Sequence, residues 1–177
     1  MIRFFLPDRR ESSVYAMNFK REYERGVRGV IFDIDNTLVA QNAPVDGRVA
    51  KLFAELKGDG LQTCLISNNG EARVKEFAEK LGSHFVPNAA KPSRKAYRKA
   101  MEVMGTDRSD TLFIGDQLLT DIFGAKRTGV ESVLVDPVDP ESDLKRIRFK
   151  RKIERLILRL GGEKTEVVKK DLKKRSK

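Results

Sequence analysis

The sequence predicts an α/β protein: five parallel strands in one sheet, with helices on both faces. Three observations carry this. Short apolar runs alternate with stretches of helical periodicity in the order βαβαβαβαβ, the pattern of a parallel sheet with crossover helices. The runs are continuous where the sequence is most apolar, as at Val30-Ile31-Phe32, which suits strands buried on both faces. Polar clusters follow the strands, at Asp33-Ile34-Asp35, Ser67-Asn68-Asn69 and Gly115-Asp116-Gln117. Open parallel sheets bind ligands at that edge, outside the carboxyl ends of their strands.

Taken in order, residues 1–28 read as an N-terminal lead-in, with Asn18 capping a short helix over Phe19–Arg25 that Gly26 stops. The first strand, Val30–Phe32, runs into the double-aspartate loop. Asp46 is the N-cap of a helix whose apolar positions Val49, Leu52, Phe53 and Leu56 follow helical spacing, and Gly58 and Gly60 end it. Leu61–Ile66 form the second strand. A helix over Glu71–Lys80 follows, with Val74, Phe77, Ala78 and Leu81 on one face, and then a short third strand near His84–Val86. Lys91-Pro92-Ser93 opens the next helix, with Pro92 near its first turn and Tyr97, Met101 and Met104 inward. Leu112–Ile114 form the fourth strand, a helix runs to Thr128-Gly129, and Glu131–Val135 form the fifth.

Composition narrows the classes. At 177 residues and 40% hydrophobic, the chain is long and apolar enough for one substantial core. No apolar run approaches the roughly 20 residues that cross a bilayer. The opening Met-Ile-Arg-Phe-Phe-Leu-Pro-Asp lacks the length of a signal peptide, so a cytoplasmic setting is expected. The single cysteine, Cys64, excludes an internal disulfide and reads as core, and the single histidine, His84, reads as structural. Charge is uneven: residues 144–177 carry 15 basic and 4 acidic side chains, leaving 21 basic and 22 acidic in residues 1–143. The net charge of +10 is therefore a property of the tail.

Two carboxylates at the end of a buried strand are costly to desolvate unless a cation or a proton satisfies them. Polar residues from four elements converging on one sheet edge suggest one chemistry. Asp33 is placed to attack phosphorus and carry the phosphoryl group. Asp35, two residues on, is placed to protonate the leaving oxygen and then activate water. Carboxylates of Asp33 and Asp116, with a backbone carbonyl, suit Mg²⁺, a hard cation that prefers oxygen. Lys91, the Ser67 hydroxyl and the backbone N–H groups around Asn68 and Asn36 are candidates to surround the transferring phosphoryl group.

Asp33-Ile-Asp35-Asn-Thr37, Ser67-Asn-Asn, Lys91-Pro and Gly115-Asp116-Gln-Leu-Leu-Thr-Asp121 resemble, in order, the four motifs of the haloacid dehalogenase (HAD) superfamily of phosphatases. The resemblance spans residues 29–136. It implies a Rossmann-like sheet with strand order 3-2-1-4-5, Mg²⁺ as cofactor, Asp33 as nucleophile and Asp35 as general acid/base. It further implies metal ligation by Asp33, Asp35 and Asp116 supported by Asp121, and a phosphate site from Asn36, Thr37, Ser67, Asn68 and Lys91. Aspartate at position 35 points to hydrolases; the superfamily's transport ATPases have threonine there. Gly-Asp-Gln-Leu-Leu-Thr-Asp, Ser-Asn-Asn and the leading Leu6-Pro7-Asp8 are similar to the YqeG-like branch, subfamily IIIA, which includes phosphatidylglycerophosphate phosphatases.

Neither the segment Val39–Asp46 nor the stretch between Ser67 and Lys91 can hold a cap domain, since even small domains run to about 50 residues. An uncapped site favours a large substrate such as a lipid head group, or a lid borrowed from another subunit in an oligomer. Residues 143–161 read as a basic amphipathic helix: Phe149, Ile153, Leu156, Ile157 and Leu160 on one face, Arg148, Arg151, Lys152, Arg155 and Arg159 opposite. Such a helix either docks its apolar stripe on the domain, leaving the basic face solvated, or lies on an anionic membrane. Residues 162–177 read as a disordered basic tail. The expected function is thus a Mg²⁺-dependent phosphomonoesterase, with a phosphatidylglycerophosphate-type lipid as leading substrate. A soluble sugar phosphate, nucleotide or nucleic-acid end is the alternative, and a low-turnover membrane- or RNA-binding protein the third reading.

Overall fold

The computed structural model describes residues 2–141 and 145–161. The expected tail, 162–177, and the first residues assigned to the basic helix, Asp143 and Leu144, lie outside them. A sheet of six parallel strands forms the middle layer: β1 (Arg9–Glu11), β2 (Gly29–Phe32), β3 (Gln62–Ile66), β4 (His84–Val86), β5 (Thr111–Gly115) and β6 (Glu131–Val135). Their order is β1-β6-β5-β2-β3-β4, with β2 at the centre between β3 and β5.

A sixth strand corrects the expected five-strand sheet: the five expected strands keep the order 3-2-1-4-5, and the new one is added at the edge beside the last of them. Arg9–Glu11 belongs to the N-terminal lead-in, yet it pairs with Val133–Val135 at the sheet edge. Asp8 fastens it, its carboxylate accepting hydrogen bonds from the Ser132 N–H at 2.9 Å and hydroxyl at 2.8 Å. Arg9 grips Glu22 with two bonds, at 2.8 and 3.0 Å. A three-residue strand reading Arg-Arg-Glu has no apolar period, and its partners lie more than 120 residues away, so its own sequence does not announce it.

Alternation along β2 divides the core. Val30 and Phe32 face one layer, packing with α1 (Phe19–Glu24), α2 (Gly47–Gly58) and α3 (Glu71–Leu81). Ile31 faces the other, with α4 (Arg94–Met104) and α5 (Phe123–Thr128). The caps follow the sequence. Asp46 accepts from the Arg48 and Val49 N–H groups at 2.9 Å each, and Asn18 from the Arg21 N–H at 3.0 Å. Ser93 is the N-cap of α4, and Pro92 stands directly before it, next to the first turn.

After β5 the chain makes a π-helical turn, Leu118–Ile122, before α5. Two glycines make room for it. A Cβ on Gly115 would stand 2.7 Å from the Asp121 side chain, and one on Gly124 would stand 2.4 Å from the Tyr97 hydroxyl. Both approaches are closer than any side chain tolerates. Tyr97 lies with its hydroxyl 3.0 Å from the Thr120 and Asp121 carbonyls, which braces the turn from α4.

The last helix, α6 (Lys145–Leu160), packs across the π-turn. Its orientation reverses the docking expectation. Ile147 and Leu158 are buried, whereas Phe149, Ile153, Leu156 and Leu160 of the expected docking stripe are exposed, with only Ile157 partly covered. Arg151, expected on the solvated basic face, points inward.

Candidate active site

Register brings the site together. Phe32 of β2 pairs with Leu65 of β3 and Ile114 of β5, so Asp33 emerges beside Ile66-Ser67 on one side and Gly115-Asp116 on the other. The Asp33 N–H donates to the Ile114 carbonyl at 3.0 Å, which continues the ladder one residue past the strand. Behind it the loop closes on itself. Asn36 takes a left-handed backbone, φ 61°, and the Thr37, Leu38 and Val39 N–H groups all turn to the Ile34 carbonyl.

Lys91 is the hub. Its Nζ lies 2.7 Å from Asp33 Oδ1 and 2.8 Å from Asp121 Oδ1, with all three side chains buried. The loop that delivers it is pinned to the end of β3: the Lys91 N–H donates to Asn68 Oδ1 at 2.8 Å, and the Ala89 N–H to the Ser67 carbonyl at 2.9 Å. The Ser67 hydroxyl accepts from the Asn69 N–H at 3.2 Å. On the far side, the Thr37 hydroxyl donates to Asp116 Oδ1 at 3.2 Å, and Arg151 of α6 donates to Asp116 Oδ2 at 2.6 Å and to its carbonyl at 3.2 Å.

Asp33, Asp116 and Asp121 each offer a carboxylate oxygen, and these three atoms lie within 4.8 Å of one another. Against three buried carboxylates stand two basic groups, Lys91 and Arg151. An all-oxygen donor set with uncompensated negative charge fits a hard divalent cation such as Mg²⁺. The residues present therefore fit the ion that the sequence implies. The Asp35 carboxylate lies outside this cluster, which leaves its backbone carbonyl as the group it could offer a metal. The carboxylate accepts from the Asn42 N–H at 2.7 Å, from Arg73 at 2.8 Å, and from the Asn69 side-chain amide. Asp121, expected only to support the metal, brings its own carboxylate into the cluster, and its Oδ2 also accepts from the Gln117 N–H at 3.1 Å.

Two expected phosphate ligands are likewise occupied. The Asn36 N–H donates to the Val39 carbonyl at 2.7 Å, its side-chain oxygen accepts from the Asp139 N–H at 3.0 Å, and Thr37 serves Asp116. Ser67, Asn68 and Lys91 lie at the same edge, with the Asn68 Oδ1 taken by the Lys91 N–H. Sequence reasoning passed over Asn69, Arg73 and Arg151. Arg73 lay within reach of inference, being in the first turn of the helix after a motif loop. Arg151 carried no signal beyond its place in a basic run.

Burial sets the electrostatics. It raises the Asp33 carboxyl well above its usual value, aided by the charges of Asp121 and Asp116 and opposed by Lys91. Burial, with the Asp121 charge, pushes Asp116 up to about 7 despite the opposing Arg151. Burial alone would lower the Lys91 ammonium, but Asp121 and Asp33 outweigh it and the pKa rises. A carboxyl whose folded pKa exceeds its unfolded value favours the folded state while protonated, and that contribution fades as pH rises toward the folded pKa. In EDTA, thermal stability from this cluster should decline as pH rises from 3.8, the ordinary carboxyl value, to about 7 for Asp116. Added Mg²⁺ should then raise Tm more at about pH 8 than at about pH 5, because protons no longer compete for the carboxylates. Equal Mg²⁺ shifts at the two pH values would argue against metal binding by these residues.

A buried parallel sheet whose strand ends gather aspartates, a lysine and a serine defines a phosphatase of the HAD type. Comparison agrees. Residues 88–148 match the HAD-hydrolase-like family (Hydrolase_like). The chain is 42% identical over 157 residues to the probable phosphatase YqeG of Bacillus subtilis, covering 88% of this chain and 91% of that one. It is 22% identical over 170 residues to phosphatidylglycerophosphate phosphatase 1, chloroplastic/mitochondrial, of Arabidopsis thaliana, covering 89% of this chain but 48% of that protein. The cobalt-bound deoxy-D-mannose-octulosonate 8-phosphate phosphatase of Haemophilus influenzae shares the fold at TM-score 0.51 and 17% identity, over 81% of this chain and 92% of that one.

The chain belongs to the YqeG-like branch of the HAD superfamily.

Proposed function

We propose that the protein is a Mg²⁺-dependent phosphomonoester hydrolase that works through an aspartyl-phosphate and acts on an anionic phospholipid of the phosphatidylglycerophosphate type. One observation carries the chemical part: Asp33 is buried at the sheet edge with Lys91 Nζ 2.7 Å away, among the oxygen donors of Asp116 and Asp121. Asp33 is the aspartate of the pair whose carboxylate faces this cluster, which supports it as the attacking group.

In the first step an Asp33 carboxylate oxygen bonds to phosphorus, the bond from phosphorus to the ester oxygen breaks, and Asp35 gives its proton to the departing oxygen. In the second, Asp35 takes a proton from water, the water oxygen bonds to phosphorus, and the bond to Asp33 breaks, releasing phosphate. Asp33 and Asp116, with Asp121, would hold Mg²⁺, which would supply charge neutralisation for the phosphoryl oxygens. Lys91 neutralises Asp33 and Asp121 at rest and meets the phosphoryl charge during transfer. Ser67 adds a hydroxyl at the same edge. Arg73 holds the Asp35 carboxylate at 2.8 Å, and a substrate anion that drew Arg73 away would leave Asp35 free to take from solvent the proton it donates.

The lipid part is supported by the similarity to a phosphatidylglycerophosphate phosphatase along most of this chain, and by an active-site edge with no cap inserted among the described residues. The test compares phosphate release, with Mg²⁺, from phosphatidylglycerophosphate vesicles and from a panel of soluble phosphomonoesters. Release from the lipid well above the whole panel is expected. Release confined to sugar phosphates or nucleotides would overturn the lipid assignment and leave the aspartyl-phosphate chemistry standing.

A further inference from the structure

Helix α6 has two stripes, and the domain uses one. Ile147, Arg151, Glu154 and Leu158 recur at helical spacing and face inward. Leu158 packs with Leu118, Ile122 and Leu134, Arg151 reaches Asp116 at 2.6 Å, and buried Glu154 accepts from the Leu119 N–H at 3.0 Å. Two residues beyond each of these stand Phe149, Ile153, Leu156 and Leu160, at 65, 39, 56 and 66% exposure. Two residues are about 200° of turn, so this second stripe lies on nearly the opposite face. Arg148, Lys152, Arg155 and Arg159, all exposed, form a third row along its flank.

Among the described residues, four of the five large hydrophobic side chains left exposed are in this one stripe. Solvent-facing apolar residues normally scatter singly, and a continuous row marks something that covers it. The helix that bears the row carries eight basic residues and one acidic. An apolar row edged by arginine and lysine matches the boundary of an anionic bilayer, with acyl chains below and phosphates at the rim.

We propose that the outer face of α6 is the docking surface for an anionic lipid bilayer and brings the Asp33–Asp116 edge to it. The inference rests on the reading of the site as a lipid phosphatase and names the surface from which that site is served. Other occupants fit less well. Residues 162–177 carry seven basic and three acidic side chains and only three aliphatic ones, so they share the sign of α6 and offer little apolar surface. A second copy of the helix would oppose like charges. Arg151 and Glu154 tie α6 to Asp116 and to the turn after β5, so a surface bound by its outer face lies one helix diameter, about 10–12 Å, from the active-site edge.

The test is co-sedimentation of the full chain, without substrate, with phosphatidylcholine vesicles containing phosphatidylglycerol and with pure phosphatidylcholine vesicles. Binding to the anionic vesicles alone, weakening with salt, is expected. The double variant Phe149→Glu/Leu156→Glu should lose about tenfold or more of it, while its hydrolysis of a soluble phosphomonoester stays at the wild-type rate. Equal partition onto both vesicle types, or anionic binding that the variant leaves intact, would overturn the proposal. So would a wild-type dimer that the variant dissolves, or retention on single-stranded RNA in place of vesicles. Variant-sensitive vesicle binding without phosphatidylglycerophosphate hydrolysis would uphold the surface and remove the lipid substrate. Lipid hydrolysis without such binding would do the reverse.

Discussion

Asp33→Asn should abolish turnover, lowering kcat on the order of 10³-fold or more, and should do so without unfolding the protein. An amide oxygen is too poor a nucleophile to displace the ester oxygen, so the first step is lost while the substrate pocket keeps its shape. Stability should move the other way. Asp33 is one of three buried carboxylates set against two basic groups, and burial already disfavours its charge. Replacing it with a neutral isostere leaves Asp116 and Asp121 with Arg151 and Lys91, a balanced set. In EDTA at neutral pH, Tm of the variant should equal or exceed that of the wild type, and the rise produced by Mg²⁺ should shrink. Circular dichroism melts beside a phosphate-release assay read both. Residual turnover near the wild-type rate would refute Asp33 as nucleophile, and a collapsed Tm would make the lost activity uninformative.

What the sequence disclosed follows from what is local. The capping side chains of Asn18 and Asp46 sit within three residues of the N–H groups they serve, and both are in place. The strands that carry the motifs are short apolar runs whose polar ends meet because parallel strands present them on one edge. What stayed hidden depends on distance. Asp8 finds Ser132, and Arg151 finds Asp116, through tertiary packing that no spacing encodes. Helix α6 shows this most plainly. Its richer apolar row suggested docking, yet the domain takes the row with only two aliphatic members, because Arg151 and Glu154 find buried partners there. Hydrophobicity ranks faces by transfer out of water, and it cannot price an arginine that meets a buried carboxylate. The double-aspartate motif also disclosed its residues better than their directions: Asp33 turns to the cluster, whereas Asp35 turns to Arg73.

Lys91→Met should destabilise the metal-free protein by about 3–5 kcal/mol, the usual cost of removing one partner from a buried ion pair. The methionine fills similar volume, so packing contributes little and the loss is electrostatic. Two carboxylates, Asp33 and Asp121, would then lie buried without the ammonium now 2.7 and 2.8 Å away. That origin makes the defect conditional. Lowering the pH, which protonates the stranded carboxylates, should recover part of the loss, and so should Mg²⁺ if it binds the same oxygens. Adding Asp121→Asn should restore most of the stability by removing one stranded charge, a coupling that a double-mutant cycle in denaturant reads directly. Activity should not return with it. The double variant folds but lacks the Lys91 ammonium that meets the phosphoryl charge, so kcat should stay depressed by about 10²-fold or more. Recovery of both stability and turnover would show Lys91 to be a structural counter-ion alone. Full additivity in the cycle would show that Lys91 and Asp121 do not share a charge.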